Sequence, residues 1–317
     1  YAEAFVNAGS AVSVQPSGKS AVVVDNNGYV ESEFDFDAST GTITRYNGYA
    51  TYLAIPETIG GAPVKAIGPE AFAHHYYLAL LELPEGLEAI GDGAFCGCIN
   101  LTRVAIPDGV TSIGNGAFYV CISLTRILIP DSVTFIGNDA FNSCLSLTSI
   151  ALPDGLTSIG DCAFFYCSDL ASVTLPDGLT FIGEYAFFLC ENLSGISIPD
   201  SVTSIEEGAF AFCSGLSGIT IPSSVTSIGN RAFSCCSLTN ITIPDSVTSI
   251  GEGAFSDCHA LTNVTIPDSV TSIGADAFAG CPASLTLTVG RDSYAAEYAA
   301  ANGISYTYPD AGDSQDS

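Results

Sequence analysis

The sequence predicts an α/β repeat solenoid with a parallel β ladder, about ten turns long and capped at both ends. Three observations predict it: a 23-residue phrase recurring end to end, a strand-like alternation inside each copy, and too few apolar residues in any one copy to form a core. The anchor isoleucines are Ile67, Ile90, Ile113, Ile136, Ile159, Ile182, Ile205, Ile228, Ile250 and Ile273, with one step of 22 residues between Ile228 and Ile250. A fixed period in this range marks a stacked repeat array. Each unit offers Ala, Phe, Leu, Cys and two β-branched residues, so its apolar edge is covered only by the next unit and stability is collective.

Within one copy, Val104 and Ile106 alternate with Arg103 and Ala105, the period of a half-buried strand, and Pro107 ends the ladder. The same strand is expected in the segments 124–130, 147–153, 170–176, 193–199, 216–222, 238–244 and 261–267. At a spacing of about 4.8 Å, ten such strands form a ladder roughly 45 Å long. A second short extended piece, as at Val202 to Ile205, follows each proline. Gly then turns the chain into the Ala-Phe segment, which reads as a turn of helix on the outer side.

The ends differ from the repeat. Residues 1–30 form an N-terminal segment, read as the end of a preceding module, because Tyr1-Ala2-Glu3-Ala4-Phe5 echoes Tyr294-Ala295-Ala296-Glu297-Tyr298. Ala21 to Val24 and Glu33 to Phe36 alternate around Asn26-Asn27-Gly28 and Ser39-Thr40-Gly41, which reads as hairpin strands. Residues 31–66 make an N-terminal cap and lengthened first repeat, 67–289 the repeats, and 290–310 a helix and strand cap. Residues 311–317 are expected to be a disordered acidic tail. The start at Tyr1, without a leader pattern, reads as a mature or trimmed piece.

The phrase Ala-Phe-x-x-Cys-x-x-Leu-x-x-Ile-x-Ile-Pro resembles the BspA-like, or Treponema-type, bacterial leucine-rich repeats across roughly residues 31–308. The opening Ile55-Pro56-Glu57-Thr58-Ile59-Gly60-Gly61 resembles that family's lengthened first repeat, and Ser293 to Tyr298 its closing helix. The resemblance implies a right-handed leucine-rich-repeat solenoid, export to the bacterial surface or beyond, and adhesion to host or matrix proteins.

Charge narrows the partners. The chain carries 34 acidic and 7 basic residues, a net charge of −27, and its basic residues are scattered, which argues against nucleic acid. No apolar run approaches the ~20 residues of a membrane span, so no membrane insertion is expected. Nothing in the sequence points to an oligomer, and a monomer is expected.

The chemistry-bearing residues read mostly as structure. Nine of twelve cysteines fill one column: Cys98, Cys121, Cys144, Cys167, Cys190, Cys213, Cys236, Cys258 and Cys281. Neighbouring columns lie within disulfide reach, yet pairing would distort alternate turns and leave one odd cysteine. Buried free thiols are the favoured reading, with disulfides and a zinc site as the alternatives. His74 and His75 cannot converge with His259 near the other end, and His75 stands in the cysteine column as a structural substitute. A second column, Asp108, Asp131, Asp154, Asp177, Asp200, Asp245 and Asp268, follows the strand-ending prolines. Each Asp reads as an Asx cap on its own turn, with a cation-binding edge as the alternative. No catalytic constellation, cofactor or metal is expected.

Function is sought where repeats disagree. Arg103 and Arg126 stand outward on an otherwise small and polar strand face. Tyr119, Phe165, Tyr166, Tyr185, Phe188 and Phe212 gather in the central repeats, and Phe135 and Phe181 replace Ser in another column. Outward aromatics favour a protein interface; padding of the outer side is the alternative. The reading is a non-enzymatic, cell-surface or secreted protein-binding module. Its partner would be a host matrix or serum protein or another surface protein, with a structural spacer as the rival and an enzyme a distant third.

Overall fold

The computed structural model describes residues 31–309, so the segment 1–30, with its expected strand at Ala21 to Val24, and the tail 311–317 lie outside the described residues. The described chain winds as a parallel β solenoid of about 12 turns with a spacing of ~23 residues. Each turn presents a long-strand face, a short-strand face and a turn face.

On the short-strand face, two-residue strands Ala66–Ile67, Ala89–Ile90, Ser112–Ile113, Phe135–Ile136, Ser158–Ile159 and Phe181–Ile182 pair in parallel register. This sheet begins with Thr42–Tyr46, itself paired antiparallel to Phe34–Asp37, so the hairpin covers the open edge. A second sheet of Ser204–Ile205, Ser227–Ile228, Ser249–Ile250 and Ser272–Ile273 continues the face. On the long-strand face, Tyr52–Ala54, Leu80–Glu82, Arg103–Ala105 and Arg126–Leu128 form one sheet, and Ser149–Ala151 with Ser172–Thr174 a second. Asn240–Thr242, Asn263–Ile266, Thr286–Val289 and Ser305–Thr307 form the third.

The strands expected in 193–199 and 216–222 are not formed; a single bridge joins Ser172 to Gly195 there. Glycines at 195 and 218 supply no side chain to pack on a sheet, and the short-strand face breaks in the same place. The residue after each anchor isoleucine is Gly, except Glu206. The reason for Gly is close approach: a Cβ at Gly183 would lie 2.6 Å from the Asp161 nitrogen, and at Gly229 2.7 Å from the Glu206 carbonyl carbon. Gly183 N–H donates to the Ile159 carbonyl at 3.0 Å and Gly229 N–H to that of Ile205 at 2.7 Å, whereas Gly160 and Glu206 make no such bond. The short-strand sheets part between Ile182 and Ser204, at the one turn where this position holds Glu.

The Ala-Phe segment is not helical. A helix would use its N–H groups within the segment; here alternate ones reach the next turn. Glu70, Phe72 and His74 donate to the carbonyls of Asp92, Ala94 and Cys96 at 2.8, 2.8 and 2.7 Å, while Ala94, Cys96 and Cys98 bond back three residues in their own turn. This pattern places two residues per repeat at positive φ, such as Gly93 at 61° and Gly97 at 70°.

Inside runs an unbroken ring stack from Tyr46 and Phe72 through Phe95, Phe118, Phe141 and onward to Phe278, with neighbouring centroids 5.2–5.5 Å apart. The stack crosses the seam: Phe187 and Phe210 are 5.5 Å apart and within 6° of parallel. The helix Tyr294–Asn302 closes the far end, with the Ser293 hydroxyl accepting from Ala296 N–H, Gly303 in the left-handed region, and Tyr298 edge-on to Phe278. The 22-residue step is absorbed between Cys236 and Leu238, where one residue replaces the usual two while Asn240 keeps its register with Asn263.

The twelve cysteines are free. Each column thiol donates to the phenylalanine carbonyl of the preceding turn, as Cys121 does to Phe95 at 3.3 Å and Cys144 to Phe118 at 3.3 Å. A sulfur locked in a disulfide would lose that donor. His75 does sit in this column, tilted against Tyr46 and edge-on to Phe72, with its Nδ1 unpartnered. The Asp column is exposed and caps nothing. Each turn there is closed by backbone, as Val133 N–H to the Pro130 carbonyl at 3.1 Å, and the following serine bonds the preceding turn, as Ser132 to Val110 at 2.7 Å.

Two predictions follow from this packing. Gly137→Ala would put a Cβ 2.6 Å from the Asn115 nitrogen, whereas Gly218 has nothing within 4 Å of that position. Urea unfolding is therefore expected to show Gly137→Ala destabilised by about 1–3 kcal/mol and Gly218→Ala neutral or stabilised by up to about 1 kcal/mol. Burial pushes the thiols of Cys98, Cys167 and Cys258 up from 9.0 to about 12. The folded state then holds protons that the unfolded chain releases, so stability is complete below pH 9 and is lost as pH rises from 9 towards 12, by up to about 1.4 kcal/mol per pH unit for each thiol. Thermal unfolding followed from pH 8 upward tests the sign.

Candidate protein-binding face

The structure distributes the ten outward candidates over three faces. Arg103 and Arg126 are register partners on the long-strand face. Phe135 and Phe181 lie on the short-strand face, 48% and 40% exposed, with the strand Ser158–Ile159 between their turns. Tyr119, Phe165, Tyr166, Tyr185, Phe188 and Phe212 are on the turn face, but Tyr119 stands apart. The buried Asn142, bonded to Asp139, occupies the equivalent place in the intervening turn.

The other five make one patch. The rings of Phe165 and Phe188 stack at 4.8 Å, Tyr185 meets Phe188 edge-on at 5.7 Å, and Phe212 tilts against Phe188 at 5.2 Å. These rings extend over three consecutive turns. Tyr166, tied to Phe188 by its backbone N–H at 2.7 Å, and Phe212 are each 41% exposed, while Phe165, Tyr185 and Phe188 are half-buried. Tyr185 leans over Gly208 of the next turn, where a Cβ would strike its ring at 2.4 Å, and its hydroxyl donates to the Glu207 carboxylate. That bond, with burial, pushes the phenol up to about 12.

The backbone beneath the patch is strained. Of the twenty left-handed positions in the ten repeat turns six are glycine, Gly93, Gly97, Gly116, Gly208, Gly253 and Gly280, and the others carry side chains. In the centre they hold Val120 at φ 58°, Tyr166 at 54°, Tyr185 at 55°, Leu189 at 59° and Phe212 at 60°. Bulky residues there are outliers, each costing on the order of 1–2 kcal/mol relative to glycine. Such strain persists where the surroundings enforce it and concentrates at functional sites.

Two features escaped the sequence reading. Leu189 joins the patch; its signal was the lone leucine in a column otherwise read for aromatics. At the N-terminal end of the long-strand face, Tyr49, Tyr52, Tyr76, Tyr77 and Leu80 are exposed, and Tyr49 meets Tyr77 edge-on at 6.3 Å. Leu80 is the register partner of Arg103. Among the described residues no His, Cys, Asp and Glu cluster could hold a metal ion, and no helix is long and apolar enough to cross a membrane.

The pattern of the BspA type leucine rich repeat region matches residues 65–194 and 180–300. The chain belongs to this family. A leucine-rich repeat protein from Bacteroides ovatus is similar at 31% identity, over 81% of this chain and 69% of that one, with a TM-score of 0.75. The Treponema pallidum leucine rich repeat protein is 32% identical over 65% of this chain and 87% of that one, with a TM-score of 0.51. The pneumococcal vaccine antigen PcpA, 18% identical over 87% of this chain and 82% of that one, shares the fold at a TM-score of 0.53. Among curated proteins nothing matches the chain. Leucine-rich repeats of this family are protein-interaction surfaces.

Both Tyr166→Ala and Tyr166→Gly remove the ring, but only glycine relaxes the left-handed backbone. Tyr166→Gly is expected to be about 1 kcal/mol more stable than Tyr166→Ala in urea unfolding, the reverse of the usual order.

Proposed function

We propose that this BspA-type repeat protein works outside a bacterial cell or on its surface as an adhesin for a host or matrix protein, through the turn-face patch of Phe165, Tyr166, Tyr185, Phe188 and Phe212. The observation that carries the reading is the coincidence of contiguous, partly exposed aromatic rings with bulky side chains held at positive φ. A column held elsewhere by Gly97 and Gly280 and by His, Val, Ser, Cys and Asp holds Tyr, Leu and Phe in the same three turns. Large rigid rings are the side chains that dominate protein interfaces, and the scaffold beneath them is fixed by the turn ladder and the phenylalanine stack.

Serine is native to both columns, at Ser143 beside Tyr166 and at Ser234 and Ser256 for Phe188, so replacing Tyr166, Phe188 and Phe212 by Ser keeps the fold. Surface-immobilised wild type is expected to bind a member of a panel of matrix and serum proteins saturably, and the triple variant to lose that binding while retaining its circular dichroism. Equal binding by both would sink the patch as the adhesive face. Binding by neither favours the spacer role.

A further inference from the structure

We infer that the turn-face patch recognises a basic segment of its partner, with Lys or Arg side chains laid across the aromatic rings and their charges held by a rail of carboxylates along one side. The inference rests on the patch being the binding face and adds the chemistry of what it binds.

The rail is built by the repeat. The second residue after each anchor isoleucine is Asp161, Glu184 and Glu207 in the three patch turns, flanked by Asn138 before and Asn230 after, with Asn115 and the single acids Asp92 and Glu252 further out. Three acids in consecutive turns occur only where the rings gather. The amides show what the position needs structurally: Asn115 Oδ1 accepts from Asn138 N–H, and Asn138 Oδ1 from Asp161 N–H, both at 2.9 Å. Asp161 Oδ1 accepts from Glu184 N–H at 2.9 Å in the same way. A neutral carboxamide is therefore sufficient for the fold, and the negative charge at Asp161 is surplus to it.

None of these carboxylates forms an ion pair: Lys65 with Glu88 is the sole ion pair among the described residues, and Arg231, one turn beyond Glu207, acts on the Tyr185 phenol without pairing with the rail. Like charges one turn apart repel, a cost that a cationic partner would remove. A guanidinium or ammonium over an aromatic face is attracted by the ring as well as by nearby carboxylates. At longer range the chain's net charge of −27 draws a basic segment in and repels an acidic one.

The test measures fluorescence anisotropy of two labelled synthetic peptides of equal length, one rich in Lys and Arg and its Asp and Glu counterpart, against the full chain at low and high salt. Three variants separate the terms: Asp161→Asn with Glu184→Gln and Glu207→Gln; Tyr166→Gly with Phe212→Gly; and Asp108→Asn with Asp131→Asn and Asp154→Asn. The third removes the same charge from the exposed aspartate column. The basic peptide is expected to bind and the acidic one not, with binding weakened by salt and roughly tenfold by either the rail or the aromatic variant, but hardly by the third. If the aromatic variant loses binding while the rail and column variants behave alike, the carboxylate rail is overturned and the patch survives. If all three bind as wild type does, attraction is diffuse and this inference falls. Absence of binding to the basic peptide overturns this inference alone, since the protein panel judges the patch separately.

Discussion

One step length governs the molecule. Every turn buries its apolar edge only against the next turn, so strand pairing, the turn ladder and the phenylalanine stack must all repeat once per turn. Parallel strands prefer a spacing of about 4.8 Å, and the stacked rings stand 5.2–5.5 Å apart. Glycine after the anchor isoleucine is where the compromise is tightest, because its Cα lies against the backbone of the preceding turn. Glu206 breaks that rule once. The short-strand ladder opens there, and the long-strand ladder is weak at Gly195 and Gly218, yet the ring stack and the turn ladder run through, with Tyr185, Phe187 and Leu189 still bonded to the next turn at 2.8–3.0 Å. The turn side therefore carries continuity where both sheets fail.

The same interval explains the cysteine column. Each phenylalanine carbonyl already accepts the N–H of the cysteine in its own turn, as Phe95 does from Cys98 at 3.1 Å. The next turn places a thiol 3.3 Å from its second lone pair. Cysteine fits because it is small, apolar enough for full burial and still a weak donor. Histidine at position 75 occupies the site at the array's first turn, where the stack begins with Tyr46 rather than Phe, and there the requirement is looser.

The period, the strand positions and the buried columns were legible in the sequence because each is an identity repeated at fixed spacing. What was not legible was backbone conformation where identity varies. Left-handed positions announce themselves by glycine, but Tyr166, Leu189 and Phe212 occupy the same column as Gly97 and Gly280, so the segment read as a turn of helix. The aspartates after the prolines suggested caps by residue type alone, whereas the serine beside them makes the bond. The outward aromatics were found by their deviation from the repeat, yet only the winding of the chain could separate Phe135 and Phe181 from the patch and set Asn142 between Tyr119 and Phe165.

A solenoid suits this use of strain. Its stability is a sum over turns and their interfaces, so a local cost of a few kcal/mol in the central turns is supported by intact neighbours on both sides. The strained aromatic positions lie well inside the array, over a section of the phenylalanine stack whose neighbouring rings are within 10° of parallel. The seam at Glu206 falls within the same turns, so the sheets here do little to hold the patch; the turn ladder beneath it does. Rigidity and exposure thus coincide on one face because the hydrogen bonds that fix that face are independent of the sheets that open behind it.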